Sequence, residues 1–271
     1  MLLSKHLDKG FWTLATNAIK AAYGLFFTLW LISILPEQVW GTFYLIQITF
    51  IVISQLGLAL SMQPYIKFFY ETDDVLKLQS NALLLYCAFL ILSFSVILPL
   101  KSQLGVWLKI SDFDTLILFV PVLLATSFCK LITNEIFKAT HRLRAYFYSE
   151  ALYFSSNVVI IITLYFQQGL SRPADVLLPM SISFILSSLF SLWLARHQIR
   201  WSFKFDFFLL KRMFNFGKFA FGTIGTSSIF QHADTYIIGL YLNPAAVGLL
   251  AAVKVFGHGF QLYRQAMSMI A

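Results

Sequence analysis

The sequence predicts an all-α integral membrane protein, with a six-helix N-terminal lobe followed by the first two helices of a second, pseudo-symmetric lobe. Three observations lead there: a composition too apolar for a water-facing fold, eight apolar stretches of membrane-crossing length, and an internal repeat. Of 271 residues, 59% are hydrophobic and 12% charged, about half the charged share of a soluble domain. A mean hydropathy of +0.76 with 29 Phe excludes disorder, which needs low hydrophobicity and high charge. Cys87 and Cys129 both lie in apolar runs, so neither a disulfide framework nor a zinc cluster is expected.

A hydrocarbon core about 30 Å thick takes roughly 20 apolar residues of helix, because no backbone polar group can stay unpaired there. Eight stretches qualify: 11–35, 39–62, 81–100, 115–137, 146–166, 174–195, 213–242 and 244–271. Their length and continuity differ from the ten-residue alternation of a barrel. Breakers and charges separate them: Pro36-Glu37-Gln38, Glu71-Thr72-Asp73-Asp74, Ser111-Asp112-Phe113-Asp114, Lys138 to Arg144, Gly169 to Pro173, Arg196 to Arg212, and Asn243-Pro244. Lys5 and Lys9 ahead of the first stretch look like the start of a signal sequence. Its length and its lack of a small-residue cleavage site predict an uncleaved helix instead.

Orientation follows from the connecting loops. Twelve Lys and Arg fall on the side of the N-terminus: Lys5, Lys9, Lys67, Lys77, Lys138, Arg142, Arg144, Arg196, Arg200, Lys204, Lys211 and Arg212. Three fall on the other side: Lys101, Lys109 and Arg172. The expected N-terminus is therefore cytoplasmic, and the net charge of +8 needs no nucleic-acid partner. Trp40, Trp107, Trp193 and Trp201 fall near predicted helix ends, as interfacial anchors do. The aromatic and basic alternation from Trp201 to Phe216 predicts an interfacial helix leading into the seventh span.

A shift of 207 positions superimposes the first two spans on the seventh and eighth without a gap. Gly10 meets Gly217, Thr16 meets Thr223, Leu35 meets Leu242, and Gly41 meets Gly248. Polar stripes coincide as well. Thr16, Lys20 and Gly24, with Thr13 and Asn17 on the neighbouring row, form a stripe like that of Thr223, Ser227, Gln231 and Asp234. Gln47 and Ser54 correspond to Lys254 and Gln261. Spacings of three and four put each set on one helical face. Because the shift equals six spans, both halves point the same way, as in carriers whose halves are related by an axis along the membrane normal. Residues 1–200 read as the first lobe and 201–271 as the interfacial helix and the start of an incomplete second.

Apart from Asp175 at the very start of its stretch, eight charged residues fall inside spans: Lys20, Lys130, Lys218, Lys254, Arg264, Glu135, Glu150 and Asp234. A charge at a helix centre costs about 3 kcal/mol, so it normally faces a partner or a wet cavity. Lys218, Glu135, Glu150 and Arg264 lie within a few turns of a helix end and are expected to reach the interface. Lys20, Lys254 and Asp234 lie deeper, on the polar stripes, and are expected to line a cavity; Lys130 is intermediate. A buried pair of Asp234 with Lys20 or Lys254 is the structural alternative. Five basic groups against three acids suit an anionic substrate such as a phosphate or pyrophosphate. His232 and His258 sit beside the stripes, where packing explains a lone histidine as well as proton relay does.

Enzyme motifs are missing. Asp112-Phe113-Asp114 has the DxD form of a metal-dependent sugar transferase but stands in a short loop without supporting carboxylates. His141-Arg142-Leu143-Arg144 suits lipid headgroups or topology, and topology suffices. With no phosphate-binding loop, HExxH or nucleophile elbow, transport would be driven by an H+ or Na+ gradient or by substrate.

One further set of residues is informative: Phe216-Gly217-Lys218 through Gly222, Asp234-Thr235-Tyr236-Ile237-Ile238-Gly239, and Pro244-Ala245-Ala246-Val247-Gly248. Together with Gly57 to Tyr65 before an acidic turn, and with the Pro36 to Gly41 turn, it resembles the polysaccharide flippase branch of the multidrug/oligosaccharidyl-lipid/polysaccharide exporter superfamily, the O-antigen type. The resemblance implies two six-helix lobes rocking around a central cavity in a bacterial cytoplasmic membrane. It implies an undecaprenyl-pyrophosphate-linked oligosaccharide as cargo, surrounding membrane lipids, and no cofactor or metal. Asp234 matches the family's acid in the seventh span, with Gln231 beside it for coupling or ion pairing. Lys20, Lys254 and Lys130 stand where the family places cavity cations, with Asn17 next to Lys20, as the pyrophosphate-binding set. Members have about twelve to fourteen spans in two parallel halves, so this chain is expected to be an N-terminal fragment. Two alternatives stand beside this reading. A cation or drug antiporter of the same fold needs acids on the first-span stripe. A membrane-embedded sugar or acyl transferase needs an essential Asp112 or Asp114.

Overall fold

A computed structural model describes residues 2–72, 74–108, 110, 113–199, 204–255 and 257. Every regular element among them is helical. In chain order these are α1 (Leu2–Ala22), a π-helical turn (Tyr23–Phe27), α2 (Thr28–Ile34), α3 (Glu37–Phe68), α4 (Val75–Leu108), α5 (Phe113–Leu116), α6 (Phe119–Ala139), α7 (Leu143–Gln168), α8 (Ala174–Ala195), α9 (Phe207–Tyr241) and α10 (Pro244–Val255). Six segments are long and apolar enough to cross a membrane: Gly10–Ile34, Glu37–Phe68, Val75–Leu108, Phe119–Ala139, Leu143–Gln168 and Ala174–Ala195. The chain is a multi-pass membrane protein.

The expected seventh span lies within α9, which is long enough to cross but is not among those six. Its Thr, Ser, Gln, Asp and Lys residues dilute its hydropathy. Of the expected eighth span, α10 is described, while His258, Gln261 and Arg264 lie outside the described residues. The predicted interfacial helix is corrected in part: from Phe207 the chain runs without a break into the seventh span. At about 1.5 Å per residue, that helix exceeds what a ~30 Å core needs, so its basic first turns can stand outside the hydrocarbon. Trp201 is outside the described residues.

The helix ends follow local chemistry. Asp206 caps α9, its carboxylate accepting from the Leu209 amide at 3.1 Å. Asp74 caps α4 by accepting from the Lys77 amide at 3.2 Å. That bond, reinforced by the Lys77 ammonium, holds the Asp74 carboxyl below its ordinary value. His141 closes α6 in the left-handed region at φ 55°. Its amide donates to the Lys138 carbonyl and the Arg142 amide to Phe137, the Schellman pattern.

Helix α3 runs through the centre, packed against α4, α6 and α9, while α6, α8, α7 and α1 follow one another outward. Within their most apolar windows, α8 is 56% buried, whereas the first span and α4 are each only 11%; α4 turns Ile91, Leu92 and Val96 outward. Hydrocarbon gives helices little reason to associate through greasy surface alone, so small and hydroxylated residues hold the inner seams. Along α6 and α8, the Ser188 hydroxyl donates to the Thr126 carbonyl at 2.7 Å, and Thr133 donates to Ser191 at 2.8 Å.

The repeat is visible in the backbone. Leu35 donates to Leu31, and 207 residues later Leu242 donates to Ile238; likewise Trp40 to Pro36 and Val247 to Asn243. The two copies then touch each other. A Cβ on Gly41 would strike the carbonyl of Pro244, and one on Gly248 would strike the carbonyl of Glu37 at 2.6 Å. Glu37 and Pro244 are themselves 207 apart, so the α3–α10 crossing is reciprocal, as contacts about a two-fold axis must be.

Candidate functional site

Among the described residues, two of the polar clusters join charged side chains on different helices. The first joins α1, α6 and α7. Helix α6 presents Lys130, Asn134 and Lys138 at steps of four, while α7 presents Tyr146, Glu150, Tyr153 and Asn157. Glu150 Oε1 accepts from Lys130 Nζ at 3.1 Å and from Asn134 Nδ2 at 2.7 Å. Lys20 Nζ on α1 stands 3.9 Å from the same oxygen and donates to the Tyr146 hydroxyl at 2.5 Å. Lys130 is also 4.5 Å from the centre of the Tyr153 ring, close enough for a cation–π contact. Lys138 pairs with Glu135 at 2.6 Å and lies 5.2 Å from the Tyr146 ring. Below Lys20, the π-helical turn brings the Tyr23 hydroxyl onto Asn157 Oδ1 at 2.8 Å. Three ammonium groups against two carboxylates leave this cluster one positive charge in excess. That excess falls to Lys20, because Lys130 is shut in with Glu150 while the Lys20 side chain is 39% exposed.

The second cluster joins α9 and α10. Lys254 Nζ meets Asp234 Oδ1 at 2.6 Å and donates to Thr235 Oγ1 at 2.9 Å and to the Gln231 carbonyl at 3.0 Å. Gln231 in turn donates to Ser227 at 3.2 Å. The opposite face of α9 is buried: Gly217 rests on the Leu60 carbonyl of α3, and Tyr236 shares a hydrogen bond with Thr49 at 3.0 Å. The stripe of Thr223, Ser227, Gln231 and Asp234 therefore points away from α3 and stays exposed.

The structure thus gathers Lys20 with Lys130, and Lys254 with Asp234 and Gln231. Asn17 remains exposed on α1 and joins neither group. Asp234 takes Lys254, not Lys20, as its partner. Glu150 is corrected: it does not reach the interface but is buried at the centre of the first cluster. Asn134, Tyr146 and Asn157 also belong there and were not anticipated. Lys130 is buried against Glu150 and does not open onto a wet surface. Lys218 is exposed, as expected of a residue near a helix end, and donates to Asn215 at 3.3 Å. Asp112 lies outside the described residues. Among the described residues, no group of three His, Cys, Asp or Glu is placed to hold a metal.

Fold and clusters together define a polytopic helical membrane protein with charge concentrated along two helix seams. A family model described as polysaccharide biosynthesis protein matches residues 122–257, half of the chain, and the chain belongs to that family. No curated protein and no solved structure gives a significant match.

Proposed function

We propose that this protein translocates a lipid-linked oligosaccharide, with the pyrophosphate of an undecaprenyl carrier drawn to Lys20, across a bacterial cytoplasmic membrane by alternating access. The observation that carries the reading is the surplus ammonium of Lys20, half exposed on α1 beside a carboxylate already engaged by Lys130. A surplus cation at membrane depth favours an anionic cargo over a cationic one. Family membership supports a place in polysaccharide assembly, such as O-antigen, capsule or exopolysaccharide. In this reading residues 1–200 form one lobe and 201–271 begin its partner, with the reciprocal glycine crossing joining them. The loop distribution of Lys and Arg supports a cytoplasmic N-terminus. An H+ or Na+ gradient would act through Asp234 and Lys254.

The test is reconstitution of the protein in vesicles with a fluorescent polyprenyl-pyrophosphate oligosaccharide, following its appearance in the opposite leaflet by chemical quenching. Losing one charge-assisted hydrogen bond is worth roughly ten- to a hundredfold. Lys20→Glu should therefore slow translocation by about tenfold or more, and Lys20→Arg should retain most of it. Parent protein that moves no substrate, or Lys20→Glu that moves it undiminished, overturns the reading.

A further inference from the structure

Where α6 turns into α7, a cavity of about 380 Å³ opens between the ends of three helices. Its lining includes Trp12 of α1, His141 and Arg142 of the turn, Arg144 and Tyr148 of α7, and Leu194 of α8. Of the lining residues whose side chains are described, none is acidic. Arg144 lies 5.5 Å from the Trp12 ring and 5.7 Å from the Tyr148 ring, and it donates to the Tyr148 hydroxyl at 3.4 Å. Arg142 commits a single N–H to the Leu194 carbonyl at 3.4 Å, out of the five a guanidinium carries. No side chain caps α7, whose N-terminal residues Leu143, Arg144 and Ala145 line the cavity. That leaves the positive end of the helix dipole in the cavity wall. His141 is held beside it in a backbone conformation that a non-glycine residue enters only at a cost.

The level of the cavity matters as much as its charge. Trp12 near the start of the apolar span Gly10–Ile34, Tyr148 in the second turn of α7 and Trp193 on the last turn of α8 mark one level, and aromatic residues of this kind sit at the headgroup level. Here an apolar wall of Trp12, Leu143 and Leu194 adjoins two guanidinium groups and a bare helix N-terminus. Guanidinium forks and uncapped amides are both matched to phosphate oxygens.

We propose that this cavity is a binding site for the phosphate of an anionic glycerophospholipid. Arg142 and Arg144 grip the phosphate, the first turn of α7 supplies dipole stabilisation, and the lipid's upper chain lies along Trp12 and Leu194. The site is separate from the Lys20 cluster and stands or falls independently of the cargo assigned above.

Native mass spectrometry of the purified protein, released from nanodiscs of phosphatidylcholine with or without phosphatidylglycerol, tests it. The parent should retain phosphatidylglycerol in preference to phosphatidylcholine. Arg142→Gln with Arg144→Gln should lower that retention about tenfold, whereas Arg196→Gln, near the same helix ends but outside the cavity, should leave it unchanged. Equal retention by the double variant and the parent overturns the site. An inorganic phosphate titration separates the sources: phosphate binding in the absence of any phosphatidylglycerol preference overturns the lipid assignment. If the double variant fails to fold, arginine modification of the parent by phenylglyoxal replaces it. Phosphatidylglycerol should then slow reaction at Arg142 and Arg144 several-fold more than at Arg196, and equal slowing at all three overturns the proposal.

Discussion

Lys130–Glu150 and Lys254–Asp234 pair the same chemical groups under opposite conditions. The first is closed between α6 and α7, its side chains 4% and 8% exposed; the second bridges α9 and α10 at 20% and 51%. Glu150 also serves Asn134 and Lys20, whereas Lys254 spreads its donors over Asp234, Thr235 and a backbone carbonyl. Desolvation sets the contrast. A buried pair that loses one member strands a charge in a low-dielectric interior, while an exposed pair exchanges its partner for solvent at little cost. The α6–α7 pair is therefore a fixed part of the scaffold, and the α9–α10 pair is the one that a ligand or a change of conformation can open.

The largest effect expected from this contrast is at Glu150. Glu150→Leu should lower stability by about 3–5 kcal/mol, read as a fall in the thermal midpoint in detergent. Adding Lys130→Met should return most of the loss, since the stranded ammonium is then gone. A midpoint that hardly moves in the single variant would mean that the two pairs do not differ in kind.

Gly41→Val comes next. It forces a side chain into the Pro244 carbonyl of α10, an overpacking worth about 1–3 kcal/mol. By displacing α10 it should raise the reactivity of Lys254 toward an amine-modifying reagent and leave Lys130 protected. Gly10→Val, where nothing lies within 4 Å of the added carbon among the described residues, is the matched control. If Lys254 and Lys130 respond alike, the glycine crossing does not hold the second cluster in place.

Asp234→Asn should be the mildest, within about 1 kcal/mol, with helical circular dichroism unchanged. A loss as large as that of Glu150→Leu would erase the distinction drawn between the pairs.

Much of this architecture was legible in residue types and spacings. Pro36, Gly169, Pro173 and Pro244 mark helix boundaries because their backbone preferences interrupt a helix whatever surrounds it. The 207-residue shift marked Gly41 and Gly248 as equivalents without placing them in contact, and the stripes left Asp234 a choice between Lys20 and Lys254. Glu150 was misjudged because counting residues from a helix end measures depth and says nothing of which neighbour the side chain faces. The signal lay in the turn. Lys130 and Glu150 stand ten residues either side of Thr140, and in an antiparallel helix pair residues equidistant from the turn lie at one level. The π-helical turn at Tyr23–Phe27 had no such marker. It coincides with the Tyr23–Asn157 bond to α7, a tertiary contact to which local propensity is blind.

At the α3–α10 crossing, two rods touch backbone to backbone through one glycine each. The glycines leave little side-chain bulk there to oppose rotation, although the Trp40 ring lies against Gly248, while the close approach of carbonyls limits how near the axes can come. Such a joint behaves as a fulcrum: it tolerates scissoring of the two helices and penalises sliding. Because its two halves are images of one another, whatever tilt one copy adopts there is imposed on its counterpart.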